Sequence, residues 1–411
     1  MPNRATNRVV VVGAGLAGLV AAIRLARAGR PVTLVTKGLG GLQLGQGTID
    51  LLGYAPDRVT EPLPAIAALA DDHPYRVLGA EAVRAGIDYV HGLLPELLDG
   101  SVERNLVLPT AVGALRPTCL AQPSMRAGEL LGVAPALIAG LRQLKDFPAA
   151  LCASNLARQA APDGSPIQAR SVVVDLPAQD GMADSSALAY ARFLDRPEAR
   201  ERLAAALRPQ LREAEVVGLP AVLGVRDRQA HAHLEQLLGH QVFEIPLPPP
   251  GVPGIRLNER LTTLAQQAGV RMVLGSRVTG FESSGSQVTA VCAAVAGRLR
   301  PYPCSAVVYA PGGLESGAIS MDSYGTVSEV VFDLPLAHAD SELLTGPSWH
   351  DQPLFRVGVR VGPDARAEGP YTNLYAAGGI IAGAIRWTEK SGDGIALASA
   401  VRAADSILKG A

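Results

Sequence analysis

The stretch from Arg8 to Thr36, RVVVVGAGLAGLVAAIRLARAGRPVTLVT, constrains the fold more than any other, because it reads as strand, glycine turn, helix and second strand in one compact unit. Val9 to Val12 is a continuous β-branched run, the pattern of a parallel strand buried on both faces. Gly13, Gly15 and Gly18 then form G-x-G-x-x-G where strand becomes helix. In this arrangement the first glycine permits the tight turn, the second lets a phosphate approach the backbone, and the third lets helix and strand pack closely. The helix expected from Leu16 to about Ala28 directs its unpaired N–H groups and positive dipole end at that phosphate. Residues 13–18, with Ala14, Leu16 and Ala17 between the glycines, are therefore the first candidate site for a dinucleotide or flavin phosphate. Gly29 closes the helix and Pro31 prevents its continuation. A secretory signal, suggested by Arg4 and Arg8 before an apolar run ending in LARAG, is opposed by the glycine spacing and by the strand that follows.

The second strand departs from the usual pattern. Dinucleotide folds end it with Asp or Glu, which hydrogen-bonds the ribose of the adenosine half. Here Thr36 and Lys37 stand in that place. A hydroxyl or an ammonium is a poor acceptor for a ribose diol, whereas Lys37 suits a phosphate. The expectation is a mononucleotide, FMN, with FAD as the alternative.

With 411 residues and 48% hydrophobic content, the chain can bury a large core and is expected to form two domains. Its net charge of −1 and lack of Lys/Arg runs argue against nucleic-acid binding or a polybasic membrane surface. No stretch reaches the roughly 18 apolar residues of a spanning helix. Cys119, Cys152, Cys292 and Cys304 lie far apart without a C-x-x-C pair, so neither an iron–sulfur cluster nor structural zinc is expected; reduced thiols in a cytosolic protein are.

Along the chain, residues 38–57, GLGGLQLGQGTIDLLGYAPD, hold too many glycines for a regular element and read as a loop beside the ligand crevice. Gly45, Gln46, Gly47 and Thr48 are candidates to present N–H groups and a hydroxyl to a flavin ring or phosphate. A helical pattern over Glu81–Leu98 follows the turn Asp72–Tyr75. ELLGV from residue 129 reads as a strand, APALIAGL as a turn region and DFPAALCASNLARQ as a helix. SVVVDLP, two helices after Asp184 and EVVGLPAVLGV continue an α/β alternation assigned to a second domain. The proline-dense residues 245–254 mark the return to the first domain as an extended, irregular segment. A helix over Leu257–Ala268 and three strand-like segments then lead to VVYAPGG, ending at Gly312 and Gly313. NLYAAGG repeats the idea at Gly378 and Gly379, and a helix beginning at Gly392, Asp393, Gly394 and Ile395 is expected to turn its N-terminus to the cofactor. The expected class is α/β, with a discontinuous Rossmann-like flavin-binding domain (1–98, 251–313 and 366–411) and a second, largely inserted α/β domain (99–250). Residues 314–365 belong to the second domain or a cap.

The order of these three glycine stations resembles the flavoprotein superfamily of fumarate reductase and related dehydrogenases. More narrowly, GTIDLLGY (47–54), DHPYRVLG (72–79), GALRPTCL (113–120) and PPGVPGIRLNERL (249–261) look like the B subunit of the anaerobic glycerol-3-phosphate dehydrogenase complex, over nearly the whole chain. The non-acidic Thr36-Lys37 end of the second strand also matches that family. The stretches GLESGAIS and SGDGIALASA depart from it, the latter with Lys390 before it and Asp393 within. The resemblance implies a respiratory enzyme oxidising sn-glycerol 3-phosphate to dihydroxyacetone phosphate. It implies FMN in this subunit, and as partners a catalytic FAD subunit and an iron–sulfur membrane-anchoring subunit that passes electrons to quinone. The chain would then be cytoplasmic and peripheral at the inner face of the cell membrane.

Oxidising an alcohol needs a base for the hydroxyl proton and a cation for the substrate phosphate. His73, Arg116 and Arg256 are the catalytic candidates, with a turn as the structural alternative for His73 and an ion pair for Arg256. His231 and His233, two apart on an expected helix, do not share a face and are not expected to bind metal. Three readings stay open: an electron-transferring flavin subunit, a self-sufficient FAD-dependent dehydrogenase or reductase of a small anionic substrate, and a flavin-holding scaffold.

Overall fold

The computed structural model describes residues 7–179, 181–295, 297–340, 342–345 and 351–410; Arg4 of the signal-like reading lies outside them. The chain opens with β1 (Val9–Val12), α1 (Leu16–Arg27) and β2 (Val32–Val35), as the opening motif requires. After α2 (Ala80–Leu93) come a hairpin of β3 (Leu106–Pro109) and β4 (Leu115–Thr118), then β5 (Ala136–Leu141), α3 (Ala149–Leu156) and β6 (Ala169–Val174). Next are α4 (Ala187–Leu194), α5 (Pro197–Leu207), β7 (Val216–Pro220), α6 (Ala230–Leu238), β8 (Val242–Ile245) and α7 (Val252–Gln267). The chain ends with β9 (Arg271–Val273), β10 (Arg277–Ser284), β11 (Gln287–Val295), β12 (Arg298–Pro303), β13 (Ala306–Tyr309), β14 (Leu374–Ala376) and α8 (Gly392–Lys409).

Two compact units result: Met1–Gly41, Asp50–Leu94 and Glu259–Ala411 form the first, and Leu42–Ile49 and Pro95–Asn258 the second. The first is Rossmann-like. Its parallel sheet runs β9-β2-β1-β13-β14, with β1 in register between Val32–Val35 and Ala306–Tyr309. All four valines of β1 are buried, as a central parallel strand demands. The crossover from β9 to β13 is the antiparallel sheet β10-β11-β12. Helices α1, α2 and α8 pack together, and the alanine-rich face of α8 permits their closeness.

The division differs from the expected boundaries in four places, the smallest being residues 95–98, which fall to the second unit. Residues 42–49 belong to the second unit, where Ile49 bridges to Leu120. Residues 314–365 belong to the first, where the strand Leu336–Ala337 pairs with Gly358–Val359, which in turn bridges to Ile381. The return falls inside α7 rather than at the prolines, because Pro253 sits in the first turn of a helix, where its missing N–H costs nothing.

The second unit holds a parallel sheet, β8-β7-β5-β6. Here one expectation is inverted: Ala136–Leu141, read as a turn region, is a strand buried along its whole length, and ELLGV forms none. A short apolar run without alternation is the signature of a strand covered on both faces, and Gly140 had disguised it. Glu244 of β8 lies within this core beside Arg256 of α7, with Nη1–Oε2 2.6 Å and Nη2–Oε1 3.0 Å. Glu244 also accepts from the Ser124 hydroxyl (2.6 Å) and the Leu223 N–H (2.7 Å). Arg256 donates further to the Gly224 carbonyl and the Gln122 side chain. Burial would push the Glu244 carboxyl up, but Arg256 and these hydrogen bonds hold it below the usual carboxylate range.

Removing one partner of a buried pair strands the other, so Arg256→Met is expected to cost about 3–5 kcal/mol in denaturant unfolding. Because Glu244 is depressed in the folded chain, its contribution is present above the unfolded carboxylate pKa and is lost as pH falls through the lower folded value. Thermal midpoints measured from neutral to acid pH should fall less steeply for Glu244→Gln than for the wild type; identical slopes would deny the pair this role.

Candidate functional site

Where β1 ends, three backbones meet. A Cβ on Gly13, which has φ +101°, would collide with the Ala310 carbonyl after β13, and one on Gly18 would collide with the Gly13 carbonyl. These two glycines are required by packing. Gly15 differs: it caps α1 with φ −76°, and a Cβ there would meet nothing within 4 Å. Its missing side chain leaves room over the N-terminus of α1.

That room belongs to a cavity of about 320 Å³ at the carboxyl ends of β1, β2 and β13. Of the expected residues, Gly13, Ala14, Gly15, Thr36, Lys37 and Gly312 line it. Leu16, Ala17 and Gly18 are buried within α1 instead. Thr36 is also buried and donates its hydroxyl to the Gly38 carbonyl (2.5 Å), which makes it a stay for its own loop. Gly40 of that loop lies against Gly15, where a Cβ would stand 2.7 Å from the Gly15 nitrogen. The charged side chains in the lining are Lys37 and Arg277, both cationic, so the cavity suits an anion.

The sequence patterns missed one wall of this cavity. Val330 and Val331 line it, and the buried carboxylate of Glu329 holds that segment by accepting from the N–H groups of Val331 (2.9 Å), Phe332 (2.7 Å) and Leu334 (3.3 Å). The Tyr309 hydroxyl donates to the same carboxylate, and its own ionisation is driven upward by burial and by Glu329. A lone Glu in SEVVFDLP carries no spacing that announces this.

Of the other glycine stations only Gly312 reaches the cavity; Gly313, Gly378 and Gly379 pack elsewhere. A Cβ on Gly379 would lie 3.3 Å from the Gly313 nitrogen, and Gly378 rests on Ala17. Gly392, Asp393, Gly394 and Ile395 do not line the cavity: Asp393 accepts from the Asp50 N–H (3.1 Å), the Gly394 N–H donates to the Asp50 carbonyl (2.9 Å), and Ile395 is buried. This end of α8 is thus engaged by the chain. In the second unit, Gly45 and Gly47 pack against the first turn of α7, with Gly45 O 2.7 Å from a Cβ on Gly254 and Gly47 against Pro253. Gln46 is half-buried, and Thr48 lies beside Arg116, Nη2–Oγ1 3.3 Å. Close backbone approach, the property these glycines signal, serves a helix terminus here.

The catalytic candidates are committed elsewhere. His73 is buried and caps the short helix Pro74–Leu78 by accepting from the Tyr75 N–H at Nδ1 (3.1 Å), which leaves the proton on Nε2, 3.1 Å from Glu389. Burial would raise the Glu389 carboxyl, but hydrogen bonds from His73, Ser391 and the Ile385 N–H hold it below the usual range. Arg256 is spent on Glu244 and Gly224. His231 pairs with the Val242 carbonyl (2.8 Å) and His233 accepts from Arg200 (2.9 Å), so the two diverge. Burial pushes the thiols of Cys152 and Cys304 up to about 12. Among the described residues no three His, Cys, Asp or Glu side chains gather as a metal site, and no helix is long and apolar enough to cross a membrane.

Comparison with known proteins agrees with this geometry. A sequence profile of the FAD binding domain family matches residues 8–395. The B subunit of the probable anaerobic glycerol-3-phosphate dehydrogenase of Halobacterium salinarum is 32% identical over 418 residues, covering 96% of each chain. The corresponding B subunit of Pectobacterium atrosepticum is 32% identical over 428 residues, covering 98% of each. Among solved structures, the open conformation of a flavocytochrome c3 fumarate reductase aligns with 98% of this chain and 78% of its own at 10% identity and a TM-score of 0.45. The relatives are components of a larger enzyme. The chain belongs to the B-subunit family of anaerobic glycerol-3-phosphate dehydrogenases, within the FAD binding domain family.

Proposed function

We propose that this chain is the flavin-bearing, electron-transferring subunit of a respiratory complex that oxidises sn-glycerol 3-phosphate to dihydroxyacetone phosphate. A catalytic FAD subunit and an iron–sulfur membrane-anchoring subunit would be its partners, with quinone as electron acceptor and the cytoplasmic membrane face as its place. The cavity over Gly15 carries the reading. Its residues fit a flavin nucleotide: open space above the α1 N-terminus receives a phosphate, Lys37 and Arg277 supply positive charge, and Val278, Val330 and Val331 offer apolar walls. When bound, the flavin supplies a two-electron acceptor able to pass electrons onward singly. The chain's own work is then to grip the nucleotide half and exclude water from it. Since His73 and Arg256 are committed to structure, chemistry on the alcohol is assigned to the partner subunit.

The lining of the cavity favours FAD over the FMN suggested by Thr36-Lys37. It includes Ser276–Val278 as well as the glycine turn and Lys37, walls for an adenosine half that FMN lacks. The missing carboxylate loses its weight as an argument, because Thr36 faces Gly38.

Acid extraction of flavin from the purified chain, with FAD separated from FMN, tests the cofactor: FAD at about one per chain is expected, FMN would restore the sequence-based choice, and neither would defeat the assignment. Glycerol 3-phosphate should bleach this flavin only in the complex; bleaching in the isolated chain would favour the self-sufficient dehydrogenase, and no reduction in the complex would favour a scaffold. Gly15→Val should fold with an unchanged melting temperature yet lose flavin, since its side chain fills only the open space, whereas Gly18→Val should unfold at markedly lower temperature. Glu329→Gln keeps the shape but weakens the hold on the Val330–Val331 wall, and flavin affinity should fall on the order of tenfold for roughly 1–2 kcal/mol of charge-assisted hydrogen bonding lost. Unchanged affinity would show the wall to be held by packing alone.

A further inference from the structure

In the parallel sheet of the second unit, β8-β7-β5-β6, the last strand, β6, is paired on one side only. The Ala136 N–H donates to the Gln168 carbonyl (2.8 Å) and the Arg142 N–H to the Val174 carbonyl (2.9 Å), so the even-numbered residues of β6 turn their backbone groups to β5. Ala169, Ser171 and Val173 turn theirs outward, and no other group among the described residues pairs with them. Proteins defend such an edge with proline, lysine, a bulge or a covering segment. β6 contains no proline or lysine, and its register against β5 runs unbroken from Ala169 to Val174. Its one charge, Arg170, is spent within the unit on both oxygens of Glu215 (2.6 Å each) and on the Gln210 carbonyl. The edge is apolar as well as open: Val173 is 51% exposed, and so is about half of Leu151 on α3. Both lie on one face of the sheet, since a Cβ on Gly140 of β5 would stand 3.0 Å from Ala149 of α3 and 3.6 Å from Val173.

We infer that the occupant of this edge is a second copy of the chain, with the two β6 strands antiparallel about a two-fold axis at Ser171. The outward residues are their own complement in that arrangement. Ser171 meets Ser171 of the second copy at the axis, and Val173 meets the second copy's Ala169 on either side, a large side chain against a small one. Arg170 falls opposite Val172, so no like charges oppose each other across the axis. The outward N–H and C=O groups of three residues in each copy then gain partners, and the two four-stranded sheets become one continuous sheet.

Sedimentation equilibrium of the full-length chain over a range of concentrations tests this, with a dimer expected. Val173→Lys places a charge on an exposed side chain and leaves the bonds to β5 intact, while Ser171→Pro removes one outward N–H. Each should weaken the dimer on the order of tenfold or more, because the two-fold axis enters every substitution twice, and Val173→Lys should keep the far-ultraviolet circular dichroism of the wild type. Ser171→Cys should form a disulfide between copies under mild oxidation, since directly opposed residues that exchange both hydrogen bonds lie about 5.5 Å apart at Cα. Leu299→Cys, exposed on β12 of the first unit, supplies the rate for chance encounters. A monomeric wild type would overturn the inference and leave the edge to some other strand. A dimer indifferent to both Val173→Lys and Ser171→Pro, or Ser171→Cys that cross-links no faster than Leu299→Cys, would overturn it equally.

Discussion

The contact on which the first unit depends is the meeting of the β1–α1 turn with the end of β13. Gly13 lies against the Ala310 carbonyl and Gly18 against the Gly13 carbonyl, with no space for a Cβ at either. This approach lets β1 sit between β2 and β13 in a parallel sheet while α1 stays close enough to bury its apolar face. It also fixes where the first N–H groups of α1 point. The pocket over Gly15 is what remains when packing has claimed the other two glycines, so architecture and cavity have one cause.

Charge is distributed in this protein according to whether it has a partner. Arg256 and Glu244 are taken out of water together, with hydrogen bonds to Ser124, Leu223, Gln122 and Gly224 completing their shells. His73 and Glu389 are a second committed pair. Such groups hold a fold but have no capacity left for a substrate. Lys37 and Arg277 are the opposite case: they line the cavity while exposed to solvent. A motif's resemblance to a catalytic word did not distinguish these states; the hydrogen-bond partners do.

The local elements were legible where one periodicity or one punctuation mark decided them. Val9–Val12, the α1 helix, the late strand before Gly312 and the α8 helix follow from β-branched runs, glycine turns and small-residue helices. Ala136–Leu141 resists such a reading because a six-residue apolar run containing glycine suits a turn or a strand equally until its neighbours β6 and β7 are known. The glycines of residues 45–47 signalled close approach correctly but not what approaches, which is the first turn of α7, some 200 residues on in a chain of 411.

From the amino-acid order alone came the class of the fold, the glycine turn between β1 and α1 and the family, because these rest on short-range patterns of glycine spacing and apolar period. The tertiary structure decided which of the marked residues share a space. It gathered Gly15, Thr36, Lys37 and Gly312 with the unannounced Arg277, Tyr309 and Val331, and sent Gly392–Ile395 to Asp50 and Gly45–Thr48 to the second unit. The physical reason is that burial and hydrogen-bond pairing are settled between segments distant in the chain, where no local spacing records the partner.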